Sequence, residues 1–222
     1  MSKIFLVISC LFVSLLLLSN IVAGKIIVLA GQVLPGAIIL FPLVYILGDV
    51  ITEIYGFKQA SLVIWTGFAI NLLMAAVFSL ILFLPSPDFF LDSEAFETVL
   101  GMAPRVVAAS LCAYLAGEFV NSIVLSKIKK MTQGRWLWLR TIASSLLGEG
   151  LDSVIFISLA FGGQVAGAVL IQMTFSQYFI KIGYEILVTP ITYAVINRLK
   201  RIEKVDVYDH EVAYNPFKIL GR

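Results

Sequence analysis

A polytopic, all-α membrane protein is the fold class the sequence predicts, and three observations predict it. Hydrophobic side chains make up 60% of the 222 residues and charged ones only 14%, whereas soluble domains carry about 25% charge. Mean hydropathy is +0.99. The apolar residues gather in six continuous runs, each of about 20 residues or more, the length that crosses a bilayer as a helix. Strands of a barrel would alternate apolar and polar positions, and only helices and closed barrels satisfy every backbone group in lipid. Six spans use roughly 120 residues and leave no room for a sizeable soluble domain. Residues 1–200 are therefore expected to form a single six-helix transmembrane domain, a compact bundle, and 201–222 a cytoplasmic C-terminal tail. The net charge of +2 gives no reason to expect a nucleic-acid partner.

The runs cover residues 4–23, 35–54, 62–84, 106–128, 139–161 and 169–196. The first is leucine-rich; Lys3 before it and Val22, Ala23 and Gly24 after it would also suit a signal peptide. Between the third and fourth, residues 85–104 form the longest outside loop, a solvated acidic segment with Asp88, Asp92, Glu94 and Glu97 and room for a short surface helix. Cys10 and Cys112 fall within apolar helices, where free cysteine acts as a small hydrophobe, so neither a disulfide nor a metal site is expected. His210 stands alone in the tail, and no cofactor is implied.

Six helices put both termini on one side. On that side fall Lys3, Lys58, Lys127, Lys129, Lys130, Arg135, Arg198, Lys200, Arg201, Lys204, Lys218 and Arg222, against only Lys25 and Arg105 on the other. The excess of Lys and Arg in cytoplasmic loops places both ends inside the cell.

Ionisable residues inside a span cost roughly 2.5–3.5 kcal/mol each and by default mark a pathway or binding site. This chain has Asp49 and Glu53 in the second run, Glu118 in the fourth, Arg140, Glu149 and Asp152 in the fifth, and Lys181 and Glu185 in the sixth. Six acids against two bases leave four uncompensated negative charges if all are ionised, and a low dielectric resists that. Such a bundle calls for a cation, a proton or hydrogen-bond donors.

Asp49, Thr52, Glu53 and Gly56 recur at i, i+3, i+4, i+7 and give one helical face that is acidic, hydroxylated and small. In the fifth run Ser145, Gly148, Glu149 and Asp152 share a sector while Arg140 points elsewhere, and Ser144, Ser145 and Gly148 also suit close helix contact. In the sixth, Gln177, Lys181, Tyr184 and Glu185 make another stripe, with Thr189 and Pro190 one turn on, where a kink would free a carbonyl. Glu118, Asn121 and Ser122 add a smaller patch on the fourth. One reading gathers these faces around an interior cavity. The other has Asp49 and Glu53 pair with Arg140 and Lys181, or Lys181 with Glu185, only to stitch helices together.

The stretch Gly48-Asp49-Val50-Ile51-Thr52-Glu53-Ile54-Tyr55-Gly56-Phe57-Lys58-Gln59-Ala60 resembles the signature of the queuosine-precursor transporter family, an integral membrane family linked by name to vitamin uptake. Further matches are Arg140-Thr141-Ile142-Ala143-Ser144-Ser145 with Asp152, Ser153 and Phe156, and Lys181 with Tyr184-Glu185-Ile186-Leu187 and Thr189-Pro190-Ile191-Thr192-Tyr193. The resemblance covers roughly residues 20–200. It implies uptake of 7-deazaguanines, in the cyano or aminomethyl form, across the cytoplasmic (inner) membrane of a bacterium that salvages them for tRNA queuosine. It also implies kinship with the six-helix substrate-binding subunits of energy-coupling-factor vitamin transporters, a fold-level analogy.

For that substrate, the side-by-side N1–H and exocyclic amine of a deazaguanine suit bidentate acceptance by one carboxylate, and the aminomethyl cation suits a second. Asp49, Glu53, Asp152 and Glu185 are the candidates, with Thr52, Lys181 and Tyr184 on the same faces. Asn121 and Gln177 are available for the O6 and N7 edge, and Tyr55, Tyr184 or Trp65 for stacking. Arg140, Ser145 and Gly56 are expected in ion-pair or structural roles. The chain carries no G-x-x-x-x-G-K-[ST] pattern, so transport is expected to be proton-coupled or driven by a separate ATPase, and a homodimer is the other partner to consider. An intramembrane aspartyl enzyme is the alternative from another class, but Gly148-Glu149-Gly150-Leu151-Asp152 misses the G-x-G-D spacing by one residue. A helical scaffold whose charges only direct assembly is a third.

Overall fold

The structure is a computed structural model that describes residues 2–23, 25–29, 32–87, 89–101, 104–163, 166–209 and 214–215. Gly24, Asp88, His210, Lys218 and Arg222, and the Arg105 side chain, lie outside the described residues. In chain order the elements are α1 (Lys3–Val22), an antiparallel hairpin of β1 (Ile26–Leu29) and β2 (Gln32–Pro35), one 3-10 turn (Gly36–Ile39), α2 (Phe41–Tyr55), α3 (Phe57–Phe83), α4 (Ser93–Leu100), α5 (Pro104–Met131), α6 (Leu137–Phe161) and α7 (Gly167–Glu203). Five of these helices, α1, α3, α5, α6 and α7, are long and apolar enough to cross a membrane. The protein is a multi-pass, all-helical membrane protein.

The second apolar run departs from the expected span. Helix starts only at Phe41, because the run opens on Pro35, the last residue of β2, and the 3-10 turn Gly36–Ile39, while Pro42, which lacks an N–H, fits the first turn of a helix. The resulting α2 has 15 residues, about 22 Å at 1.5 Å per residue, short of the roughly 30 Å hydrocarbon layer. It is nonetheless the centre of the bundle. Eleven of its residues are buried, in contact with α1, α3, α5 and α7. Its Val44, Tyr45, Ile51 and Ile54 meet Phe12 and Leu16 of α1, Ile64 of α3, Tyr114 of α5 and Ile196 of α7 in one core. Large apolar side chains such as Leu72, Leu80, Phe179 and Leu187 face outward, as a lipid-facing surface requires.

α5 and α6 touch backbone to backbone. A Cβ on Gly148 would lie 2.8 Å from the Gly117 carbonyl and 2.8 Å from Asn121 Cβ, and one on Gly117 would strike the Tyr45 hydroxyl. Small residues at this crossing let polar side chains from both helices and from α2 crowd into one region. α7 runs unbroken through Pro190.

The start of α1 and the ends of α2 and α7 gather at one end of the bundle: the Phe5 and Tyr55 rings are 4.8 Å apart, and the Tyr55 hydroxyl lies 3.3 Å from a Glu203 oxygen. At this elbow end α2 turns into α3 at Gly56, whose φ of +84° suits a residue without Cβ. α7 extends past the expected boundary at 200, and the residues after it do not leave the bundle. Val207 donates its N–H to the Ile54 carbonyl at 3.1 Å, and the buried Asp209 carboxylate accepts from the Phe57 N–H at 2.9 Å and from the Ser126 hydroxyl. An anion at a helix N-terminus that has no side-chain cap of its own explains why the chain folds back. At the hairpin end, α4 supplies the short helix expected in the acidic loop, with Glu94 in its first turn and no buried residue.

Candidate functional site

The intramembrane acids divide into two groups. Near the elbow end Glu53, fully buried, accepts both arms of Arg140 from α6, Nε to Oε2 and Nη2 to Oε1, each at 2.7 Å. Lys200 of α7 lies 2.5 Å from Oε1 and Lys129 of α5 at 3.6 Å. Both lysines also reach Asp206, at 2.9 and 2.5 Å. Burial alone would push the Asp206 carboxyl up, but the hydrogen bonds from Lys129 and Lys200 outweigh it and hold the group below the ordinary carboxylate range. Arg140 spends its remaining Nη1 on the Gly134 and Arg135 carbonyls, at 3.0 and 2.8 Å. For Glu53, the stitching alternative describes what is seen. Two of the basic residues counted as loop markers, Lys129 and Lys200, belong to this knot.

Deeper in the bundle lies the second group. Asp49, one turn before Glu53, has no basic partner among the described residues; its Oδ1 accepts from Asn121 Nδ2 at 2.6 Å and its Oδ2 is unpartnered. Thr52 donates its hydroxyl to the Gly48 carbonyl at 2.9 Å, and its oxygen lies 3.1 Å from the Ser122 hydroxyl, which joins α2 to α5. Glu118, Glu149 and Glu185 are each 0–1% exposed and have no hydrogen bond to either carboxyl oxygen, although the Ser145 hydroxyl lies close to Glu185. Asp49 lies within Coulombic reach of the other three, and the four come from α2, α5, α6 and α7. Lys181 pairs with Asp152, not with Glu185, and its ammonium stands 4.8 Å from the Phe41 ring centre and 5.9 Å from that of Tyr45. Around this group the Tyr45 hydroxyl, Asn121 Oδ1, Ser145 Oγ, Ser153 Oγ and Gln177 Oε1 are also buried without a partner.

Six acids and two bases therefore resolve into neutralised pairs and a remainder. Arg140 answers Glu53 and Lys181 answers Asp152, while Asp49, Glu118, Glu149 and Glu185 carry the excess predicted from composition. Buried polar atoms are paired in the great majority of cases. So many unpaired acceptors in one place are what a site for a donor-rich ligand or for protons requires.

Among the rings considered for stacking, Tyr55 packs edge-on against Phe5, and Trp65 against Phe68 and Phe119, at 4.8, 5.6 and 5.8 Å. Tyr184 is half-buried and takes no part in the hydrogen bonds above. The aromatic groups beside the acids are Phe41 and Tyr45, which the sequence reading did not single out. Tyr45 lies four residues before Asp49 on the same helical face, and that spacing was a signal for it.

Two cavities lie nearby, and among the residues lining them none is Asp49, Glu118, Glu149 or Glu185. One of about 40 Å3 reaches Asp152, Gln177, Lys181 and Phe41 and is large enough for about one water. Another of about 320 Å3 lies toward the hairpin end between α1, α3, α5 and α6.

Comparison with known proteins accords with this geometry. The family model described as "Putative vitamin uptake transporter" matches residues 35–195, a segment containing the six intramembrane acids. A protein of Bacillus subtilis (strain 168) named "Probable queuosine precursor transporter" is 28% identical over 75% of this chain and 73% of its own length. "Queuosine precursor transporter" of Escherichia coli (strain K12) is 27% identical over 54% of this chain and 52% of its own, and a "Probable queuosine precursor transporter" of Haemophilus influenzae (strain ATCC 51907 / DSM 11121 / KW20 / Rd) 24% over 70% and 65%. No solved structure matches the chain. The relatives are transporters and not enzymes, and with the family model spanning most of its length this chain belongs to the vitamin uptake transporter family.

Proposed function

We propose that this protein imports 7-deazaguanine precursors of queuosine across the bacterial inner membrane. The observation that carries the reading is the set of four buried carboxyls on α2, α5, α6 and α7 with unpartnered oxygens and, among the described residues, no basic partner. A 7-deazaguanine offers adjacent N1–H and amine donors, which match one carboxylate bidentately. Asp49 and Glu185 are the acceptors we assign to that edge. Asn121 and Gln177 serve the O6 and N7 side, with Thr52 orienting the α2 face. Asp152 and Lys181 form a polar pair at the margin, flanked by the Tyr45 and Phe41 rings, and Tyr184 is a ring that a moving α7 would bring closer. Glu53, Arg140 and Gly56 we assign to the structural end of the site, and Ser145 to positioning Glu185.

In this reading α2 with the preceding 3-10 turn completes a sixth crossing, and both termini face the cytoplasm, as the Lys and Arg distribution requires. The excess of carboxyls makes the proton the coupling ion, because a buried acid that loses its proton without a cation partner is strongly disfavoured. Partners beyond the substrate and the bilayer, whether an energising ATPase or a second copy, are not needed by this account.

The test is a bacterial strain unable to synthesise queuosine, with and without the gene, given submicromolar 7-cyano-7-deazaguanine. Queuosine in tRNA only where the gene is present supports the reading; equal modification in both strains overturns it. Uptake into proteoliposomes driven by an imposed proton gradient checks the coupling, and uptake that appears only with an added ATPase would refute that part.

A further inference from the structure

The cavity of about 320 Å3 falls in the range of about 300–1,000 Å3 usual for small-molecule sites. Ala75, Leu111 and Phe156 belong to its apolar wall, and no charged residue lines it among the described residues. Four neutral polar residues do: Ser79, which bonds to the Ala75 carbonyl of its own helix, and a trio from three helices, Asn20 of α1, Asn71 of α3 and Ser110 of α5. The Ser110 hydroxyl donates to Asn20 Oδ1 at 2.8 Å, Asn20 Nδ2 to Asn71 Oδ1 at 2.5 Å, and Asn71 Nδ2 to the Gly67 carbonyl at 2.8 Å. Such a trio could serve only to join helices. Two further facts give it more to do. Beyond these bonds each amide has a second N–H, and the Ser110 oxygen has two lone pairs, so donors and acceptors alternate along the cavity wall. Asn20, Ala23, Ser110 and Phe156 also line the 40 Å3 cavity that reaches Asp152, Gln177 and Lys181. The two spaces meet at these four residues.

We propose that Asn20, Asn71 and Ser110, with Phe156 beside them, form an outer binding station for a flat, uncharged heteroaromatic molecule on its way to the buried acids. This rests on the transport reading above and narrows its substrate class. The smaller cavity has space for about one water, so in this conformation a bicyclic ring fits the larger one and not the site beside Lys181. The amides and hydroxyl serve a carbonyl–N–H edge, and Phe156 and the aliphatic wall serve the ring faces. The lack of a charged group among the described residues of the station favours the neutral cyano precursor over the cationic aminomethyl one.

The test uses the full chain in lipid nanodiscs with Cys10→Ala, Cys112→Ala and Ala75→Cys, the new thiol being on the cavity wall away from the polar trio. N-ethylmaleimide labelling is followed by intact mass. Saturating 7-cyano-7-deazaguanine is expected to slow labelling at least fivefold and the aminomethyl compound to slow it less, with Leu187→Cys on the outer face unaffected by either. Asn20→Ala is expected to raise KM for uptake about tenfold with kcat little changed, the loss of one to two hydrogen bonds. Uptake by the protein carrying only Cys10→Ala and Cys112→Ala checks the transport reading separately. If uptake occurs and the thiol fails to react, or reacts equally with and without the cyano compound, the outer station is overturned and the importer is not. If neither uptake nor protection occurs, both fall.

Discussion

Glu53 and Asp49 stand one turn apart on α2 and are both 0% exposed, yet their situations are opposite. Glu53 holds a bidentate arginine and a lysine, and the whole knot at the elbow end is saturated with partners. Asp49 has one amide, a bare oxygen, and three further acids around it with no basic partner among the described residues. The difference teaches how to read an acid in a membrane. Burial by itself says only that a group is costly; the presence or absence of a partner separates the carboxylates that hold helices together from those kept available for something that comes and goes.

Breaking a saturated pair should therefore cost the most stability. Glu53→Gln strands the Arg140 charge in the interior, and removing one member of a buried pair costs about 3–5 kcal/mol. Thermal unfolding in detergent should show a large drop and poor yield of monodisperse protein. Adding Arg140→Gln should cost less than the sum of the two single changes, since contacting residues couple by about 0.5–3 kcal/mol. Additive losses would show that the pair is not the unit it appears in the geometry.

Steric contrast gives a smaller effect. Gly148→Val forces side-chain atoms into the Gly117 carbonyl and Asn121 and should cost about 1–3 kcal/mol by overpacking. Gly183→Ala on α7, with nothing within 4 Å of the new Cβ, is expected to be silent or slightly stabilising in the same assay. Equal costs at both positions would mean that the α5–α6 approach does not set the spacing of the site.

The smallest effect belongs to the exposed edge of the knot. Asp206 is about two-fifths exposed, and Asp206→Asn should change stability by less than about 1 kcal/mol, increasingly little at high salt. Because its carboxyl is held below the ordinary value in the folded chain, its contribution is present above that value and is lost only as pH falls through the depressed one. Hydrogen exchange of the Val207 amide should accordingly be the same at pH 7 and pH 5 once corrected for intrinsic rates. Loosening already at pH 5 would contradict the pairing.

Much of this was legible in the sequence. Five of the six runs are helices long enough to span, and the excess of four carboxyls resolves into four particular residues. The misses have physical causes. The 35–54 run shows no periodicity that distinguishes a long helix from a 3-10 turn and a short helix, and only Pro35-Gly36 and Pro42 signalled the late start. Partner choice was also hidden, because one-helix spacing says which face a residue occupies and nothing of what faces it. Lys181 was as well placed along α7 for Glu185 as for anything on α6, and it took Asp152. The fold-back of Asp209 onto Phe57 depends on a helix start with no cap nearby in sequence. Asn20 and Asn71 were visible as amides in apolar runs but carry no charge and drew no notice.

The central claim is that the unpartnered acids serve transport and not stability. The most direct measurement compares Glu185→Gln with the unaltered protein in two readouts, uptake of 7-cyano-7-deazaguanine per folded molecule and melting temperature. A fall in uptake of at least about tenfold, near 1.4 kcal/mol, with the melting temperature held within a few degrees, is the predicted result. Full uptake, or a loss of uptake that only follows a loss of folded protein, would contradict the account.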